Sequence, residues 1–148
     1  MTDTVRVREN DLAAFVERAL TTAGVGAEHA RIVADILVAA DRRGIESHGV
    51  ARLRWFYVDR IRNGRISARP NYETLRDTPT SLLLDAGNGL GHPASHHAMT
   101  RAIEKARSLA CDGLILDLQD ALLPERSADA PASAVATVHA SSVSTSGA

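Results

Sequence analysis

The sequence predicts an α/β fold: an N-terminal helical segment, then strands and a further helix, then a disordered C-terminal tail. Three observations predict it. Apolar residues recur at three- and four-residue steps from Leu12 to Ile61, the spacing of one helix face. Short apolar runs bounded by turn residues follow, with a glycine-rich stretch between them. From Ser127 to Ala148 the chain is mostly Ala, Ser, Thr and Val, with Asp129 its only Asp, Glu, Lys or Arg, a composition that predicts a disordered tail.

The first helix is carried by Leu12, Phe15, Val16, Ala19, Leu20 and Ala23, with Asn10 or Asp11 as N-cap and Gly24 as stop. The second starts near Glu28, carries Ala30, Val33, Ile36, Leu37 and Ala40, and ends at Gly44. A third is expected from Val50 to Asn63, with Leu53, Phe56 or Tyr57, and Ile61 facing inward and Arg52, Arg54, Asp59, Arg60 and Arg62 on its other face. Tyr72 to Leu75 and Ser81 to Asp85 read as strands separated by the turn-prone Asp77-Thr78-Pro79. The glycines at 87, 89 and 91 lead into a helix reaching about Ala110, and Leu114 to Leu118 reads as a third, buried strand.

The 148 residues are 45% hydrophobic, which suffices for a single core. With 17 basic and 18 acidic residues interspersed and a net charge of -1, no strong field favours a polyanion, so a dedicated nucleic-acid partner is not expected. The lone cysteine, Cys111, has no internal disulfide partner, and the charged start Met1-Thr2-Asp3-Thr4-Val5-Arg6 is unlike a signal peptide; a cytoplasmic protein is expected. No apolar run approaches the roughly 20 residues that span a bilayer, so no membrane partner is expected either.

The segment richest in chemistry is Asp41-Arg42-Arg43-Gly44-Ile45-Glu46-Ser47-His48-Gly49-Val50-Ala51-Arg52-Leu53. If Val50 opens a helix, His48 stands at its N-terminus and Arg52 lies one turn inside. The pair suits a substrate carboxylate: arginine offers a planar fork of donors, the helix start offers free N–H groups, and histidine can bind the same substrate or shuttle a proton. On spacing alone a structural alternative stays open, in which Ser47 caps the helix, His48 makes a structural hydrogen bond and Arg52 is solvated.

The run Arg43 to Leu53 resembles the signature of the type-2 malate/L-lactate dehydrogenases and their relatives acting on sulfolactate, ureidoglycolate and diketogulonate. The resemblance continues through Tyr57 to Ile66, Leu84 to Gly91, Ala98-Met99 and Ala102 to Ala106, in the family's order and at about its spacing. It covers the chain from its N-terminus to about Ala110 and implies a region 1–110 of that fold. It further implies a 2-hydroxyacid/2-oxoacid substrate and NAD or NADP as cofactor, held by a later, non-Rossmann domain for which no cofactor-binding residue can be named. In this family the histidine and arginine line the substrate site. That makes His48 the catalytic candidate, and Ser47, His48, Arg52, Phe56 and Tyr57 the substrate-binding candidates. Phe56 holds the spacing of the family's next aromatic, one turn past the arginine; Tyr57 matches its residue type.

Two other constellations carry less. Gly87-Asn88-Gly89-Leu90-Gly91 after a strand superficially resembles a dinucleotide fingerprint, but the last glycine of that motif would fall at His92; a backbone device is the better expectation. His92 and His96 share a helix face with His97 beside them, yet no Cys, Asp or Glu nearby completes a ligand set, and the family's chemistry uses no metal.

The resemblance departs after about Ala110. There the family continues with a strand and a loop of the form S-x-H-x-G, whose histidine is the expected general acid/base. This chain reads Cys111-Asp112-Gly113-Leu114-Ile115-Leu116-Asp117-Leu118-Gln119-Asp120-Ala121-Leu122-Leu123-Pro124-Glu125 instead, and His139 lies in the expected tail. Residues 112–125 resemble a stretch of the citrate-lyase β-subunit and related aldolases, whose barrel needs about 250 residues. The expected organisation is therefore a dehydrogenase-like region 1–110, a non-matching strand-like segment 111–126 and a tail 127–148, an incomplete member of the family left by a fusion, deletion or frameshift. The rival expectation is a non-catalytic remnant, a helical module that binds a partner or forms a homodimer through the faces of its first three helices. A third is a substrate-binding subunit that borrows a cofactor domain from a second polypeptide.

Overall fold

The structure, a computed structural model, describes residues 6–109, 113–119 and 135–141. The chain divides into two compact units, residues 1–69 and 70–148, the boundary falling between Arg69 and Pro70.

The first unit is helical. Helix α1 spans Glu9–Thr22 and α2 spans Ala27–Arg42. Helix α1 begins ahead of its expected caps: Arg8 takes the cap position in extended conformation, without a side-chain cap bond. Glu9 and Asp11 lie in the first turn instead, where carboxylates favour the positive end of the helix, and Asp11 pairs with Arg8 Nε at 2.8 Å. The helix stops agree with expectation and share one device. After α1, the Val25 N–H donates to the Leu20 carbonyl at 3.1 Å and the Gly24 N–H to Thr21 at 3.0 Å. After α2, Ile45 donates to Ala40 and Gly44 to Asp41, both at 2.9 Å. These are paired Schellman bonds, which need a left-handed residue at the turn; Gly24 and Gly44 supply it with φ of 101° and 73°.

The expected third helix is a composite. A 3-10 turn at Glu46–His48 precedes a second at Val50–Arg52; a π-helical stretch then runs Leu53–Val58, and α3 covers Asp59–Arg62. The core of this unit joins Val16 and Leu20 of α1 to Ala30, Val33, Ala34 and Leu37 of α2, all with no exposed surface, and adds Leu53, Tyr57, Val58 and Ile61. Ala30, Val33, Ala34 and Leu37 repeat at helical spacing, which is why one face of α2 disappears from solvent while Ile36 stays exposed.

The second unit is a sheet with one helix. Strands β1 (Glu73–Asp77) and β2 (Ser81–Asp85) form an antiparallel hairpin with an irregularity between Thr74 and Arg76. Helix α4 spans Gly91–Leu109, followed by β3 (Gly113–Gln119) and β4 (Val135–Ser141). The sheet order is β1-β2-β4-β3 with every neighbour antiparallel, so β2 and β3 run in the same direction and α4 connects them. Strand β2 alternates as a one-sided strand should: Leu82 and Leu84 are buried and pack with Ala98 and Ala102 of α4, Tyr72 and Met99 closing the cluster. Small alanines let the helix lie close to the strand. Asp77 receives Arg101 at 3.6 Å and a contact from Lys105, whose Nζ also donates to the Thr78 carbonyl at 2.7 Å; this ties α4 to the β1–β2 turn.

Within the expected tail 127–148, residues Val135–Ser141 form β4, the strand between β2 and β3. The strand combines local strand formers, Val135, Thr137 and Val138, with pairing on both sides. Its backbone is paired along both edges, Leu83 opposite Thr137 on one side and Asp117 opposite Thr137 on the other. The rest of that tail, and the Ala110–Cys111 junction, lie outside the described residues.

Two outcomes follow from this packing. Leu37→Ala should cost about 2–5 kcal/mol and Ile36→Ala less than about 0.5 kcal/mol, read from urea unfolding; equal costs would contradict the packing of α2. Burial lowers His92, in the first turn of α4, below its ordinary 6.5. The unfolded chain then binds the extra proton just below pH 6.5, so the contribution of His92 to stability is present above that pH and is lost as pH falls through the folded value. His92→Gln should flatten that part of the stability profile, and an unchanged slope would rule His92 out as its source.

Candidate functional site

The Ser47–Tyr57 stretch brings the expected residues together in the first unit. Ser47 Oγ lies 2.9 Å from His48 Nδ1, so the hydroxyl engages the imidazole rather than capping the helix that follows. This contact fixes one ring nitrogen and leaves Nε2 as the other donor or acceptor. Both side chains are exposed.

The helix start at Val50 is held by a residue that sequence spacing did not suggest. The Val50 N–H donates to Asp41 Oδ2 at 2.9 Å, from the end of α2. Gly49 makes room for it: a Cβ there would lie 1.6 Å from Asp41 Oδ1. The glycine of the Ser-His-Gly run is thus a steric requirement, and the cap is a carboxylate nine residues upstream. The clue in the sequence was an Asp at the α2 terminus, which local turn chemistry alone could not connect to Val50.

Arg52 is half-buried over aromatic rings, its guanidinium carbon 5.0 Å from the Phe56 centroid and 5.4 Å from that of Trp55. Arg60 stands 4.2 Å from the Phe56 centroid. Phe56 meets Trp55 and Tyr57 edge to face at 5.5 and 5.1 Å. Such stacking holds a guanidinium in place without an anion, leaving its N–H edge for a ligand. The solvated reading of Arg52 does not describe this side chain.

The π-helical stretch gives Phe56 and Tyr57 different surroundings. A wider turn places residues four and five past Arg52 on overlapping faces. Phe56 takes the stack; Tyr57 is buried at 7% exposure but still feels the charge. Burial pushes its phenol above the ordinary 10.0, and Arg52 pulls it partly back. Trp55 and Arg60, which extend this aromatic and cationic cluster, were not among the expected site residues; Trp55 is 54% exposed.

The glycine loop of the second unit is a backbone device. Gly87 and Asn88 have φ of 57° and 56°, and the Gly89 N–H closes the turn onto the Ala86 carbonyl at 3.0 Å, as in a type I′ turn. The Gly87 N–H is already taken by Asp85 Oδ1 at 2.8 Å. A Cβ on Gly87 would meet the Asn71 carbonyl oxygen at 2.4 Å, and one on Gly89 the Pro70 ring at 2.5 Å. These glycines face protein, so the loop does not fit a nicotinamide dinucleotide's phosphates. Of the helical histidines, His92 is half-buried, His96 is exposed and His97 lies 5.3 Å from the Tyr72 ring, centroid to centroid. Burial pushes the Tyr72 phenol up to about 12.

Comparison with known proteins gives this arrangement its context. The family model for malate/L-lactate dehydrogenase matches residues 7–112. The chain belongs to the malate/L-lactate dehydrogenase family. A malate dehydrogenase of Pyrococcus abyssi is 48% identical over 103 residues, covering 70% of this chain and 28% of the relative. The NAD(+) ureidoglycolate dehydrogenase of Escherichia coli K12 is 36% identical over 103 residues, 70% of this chain and 29% of the relative. The solved malate dehydrogenase of Pyrococcus horikoshii OT3 superposes with a TM-score of 0.70 at 42% identity, over 76% of this chain and 31% of that one. The chain thus spans under a third of the length of these relatives. The shorter likeness of 112–125 to citrate-lyase-type aldolases gains no support from these comparisons. Among the described residues no helix is long and apolar enough to cross a membrane.

Gly87→Ala should lower the stability of the second unit by about 1–3 kcal/mol, through a strained φ and the collision with Asn71. Thermal unfolding reads this, and an unchanged transition would contradict the packed-loop account.

Proposed function

We propose that this chain supplies the substrate-carboxylate wall of an NAD(P)-dependent 2-hydroxyacid dehydrogenase, and that Ser47, His48, Arg52, Phe56 and Tyr57 form that wall. The observation that carries the reading is the aromatic-backed Arg52 guanidinium in the same turn region as a histidine tethered by Ser47, in a chain of this family. Arg52 takes the carboxylate through its fork of donors. His48, with Nδ1 set by Ser47, holds or moves a proton through Nε2 at the neighbouring 2-oxo or 2-hydroxy oxygen. The buried Tyr57 stays protonated near neutral pH and adds a neutral polar group beneath Arg52.

A nicotinamide supplies the hydride in such reactions, and the relatives' greater length leaves room for a cofactor site beyond these residues. The cytoplasmic setting and the small 2-oxo acid partner belong to the same proposal. The alternative, a partner-binding module, draws on one feature: a groove of about 450 Å³ lined by Phe15, Ala19, Val50, Leu53, Arg54 and Val58 among others, with Phe15 half exposed.

Isothermal titration of the chain with oxaloacetate separates the two. Arg52→Ala should weaken binding by about tenfold or more, with Arg52→Lys recovering only part of it, because a point charge does not replace a stacked fork. His48→Ala should weaken binding by a smaller factor. Equal heats from all variants would favour the partner-binding module.

A further inference from the structure

We infer that Asp41 is a positioning residue of this site: its carboxylate clamps the Gly49–Val50 turn and so sets where His48 and Arg52 stand. The consequence for substrate rests on the function proposed above; the clamp rests on geometry.

Oδ2 accepts the Val50 N–H at 2.9 Å, while Oδ1 fills the space beside Gly49 that a side chain would need. One oxygen thus holds the Val50 N–H while the other lies against Gly49. The neighbouring backbone bonds radiate from the same place: the His48 N–H donates to Ile45 at 2.9 Å and the Arg52 N–H to Gly49 at 3.1 Å. Moving residues 49 and 50 moves the histidine on one side and the arginine on the other.

Asp41 is itself well anchored. Its carbonyl accepts the Gly44 N–H at 2.9 Å in the Schellman turn, and it follows the buried Leu37 and Val38 on α2. Its carboxylate makes no ion pair among the described residues, so its charge is directed at the N–H that opens the next helical segment, where an anion is favoured. Glycine at 49 makes this clamp necessary as well as feasible. Without a side chain the turn has more backbone freedom than any other residue would give it, and the carboxylate removes that freedom.

The test is amide hydrogen exchange by NMR together with oxaloacetate affinity, in the unaltered chain and in Asp41→Ala, Asp41→Asn and Gly49→Ala. Asp41→Ala should raise Val50 amide exchange by on the order of tenfold, with Leu37 unchanged, and weaken oxaloacetate by a similar factor. Asp41→Asn should stay within about threefold on both readouts, since its amide oxygen still accepts the bond. Gly49→Ala should mimic Asp41→Ala, and should add little to it in the double variant, because the colliding carboxylate is gone. Unchanged Val50 exchange in Asp41→Ala would overturn the clamp. Released Val50 with undiminished affinity would overturn its bearing on the site. Failure of the unaltered chain to bind oxaloacetate would count against the function proposed above, while amide exchange would still decide the clamp.

Discussion

The first unit depends on one constraint: a helical chain cannot stop and restart within seven residues unless its loose backbone groups find partners. Between Arg42 and Val50 the chain meets it with a Schellman turn at Gly44, a single 3-10 turn at Glu46–His48 and the Asp41 carboxylate on the Val50 N–H. The arrangement has a chemical result. The short connection carries His48, with Arg52 four residues on, both reachable from solvent, after a helix anchored by its buried face.

Aromatic backing is shared by Arg52, over Phe56 and Trp55, and Arg60, over Phe56. A solvated arginine loses side-chain entropy when it binds a ligand; one already resting on Phe56 and Trp55 loses less. Within the π-helical stretch Phe56 lies under the guanidinium while Tyr57 is buried. Irregular helix of this kind weakens backbone hydrogen bonding, and it is found disproportionately where function needs an unusual side-chain direction.

Local periodicity made most of the elements legible. Ser81–Asp85 was readable to the residue because its leucines lie between two turn signals and only one face is buried. Gly24 and Gly44 marked helix ends because the geometry of the stop needs a positive φ. Other features were hidden for physical reasons. A π-turn has no signature at a 3.6-residue period, so Val50–Asn63 read as one regular helix. Asp41 acts across nine residues, beyond any capping motif. Strand β4 lies in an Ala/Ser-rich stretch whose composition hides the strand formers Val135, Thr137 and Val138, and its pairing to β2 and β3 is visible only in the fold. The family resemblance, carried by the segments from Arg43 to Ala106, pointed to His48 and Arg52; the stacking that holds Arg52 is visible only in three dimensions.

The central claim is that Arg52 and His48 present one carboxylate-binding surface. It is tested most directly by a crystal structure of the chain grown with oxaloacetate or its stable analogue oxalate. The account places a carboxylate on the Arg52 guanidinium at about 3 Å, with a second oxygen within hydrogen-bond reach of His48 Nε2. A ligand bound elsewhere, with Arg52 still resting on Phe56 and Trp55 and no anion beside it, would contradict the account.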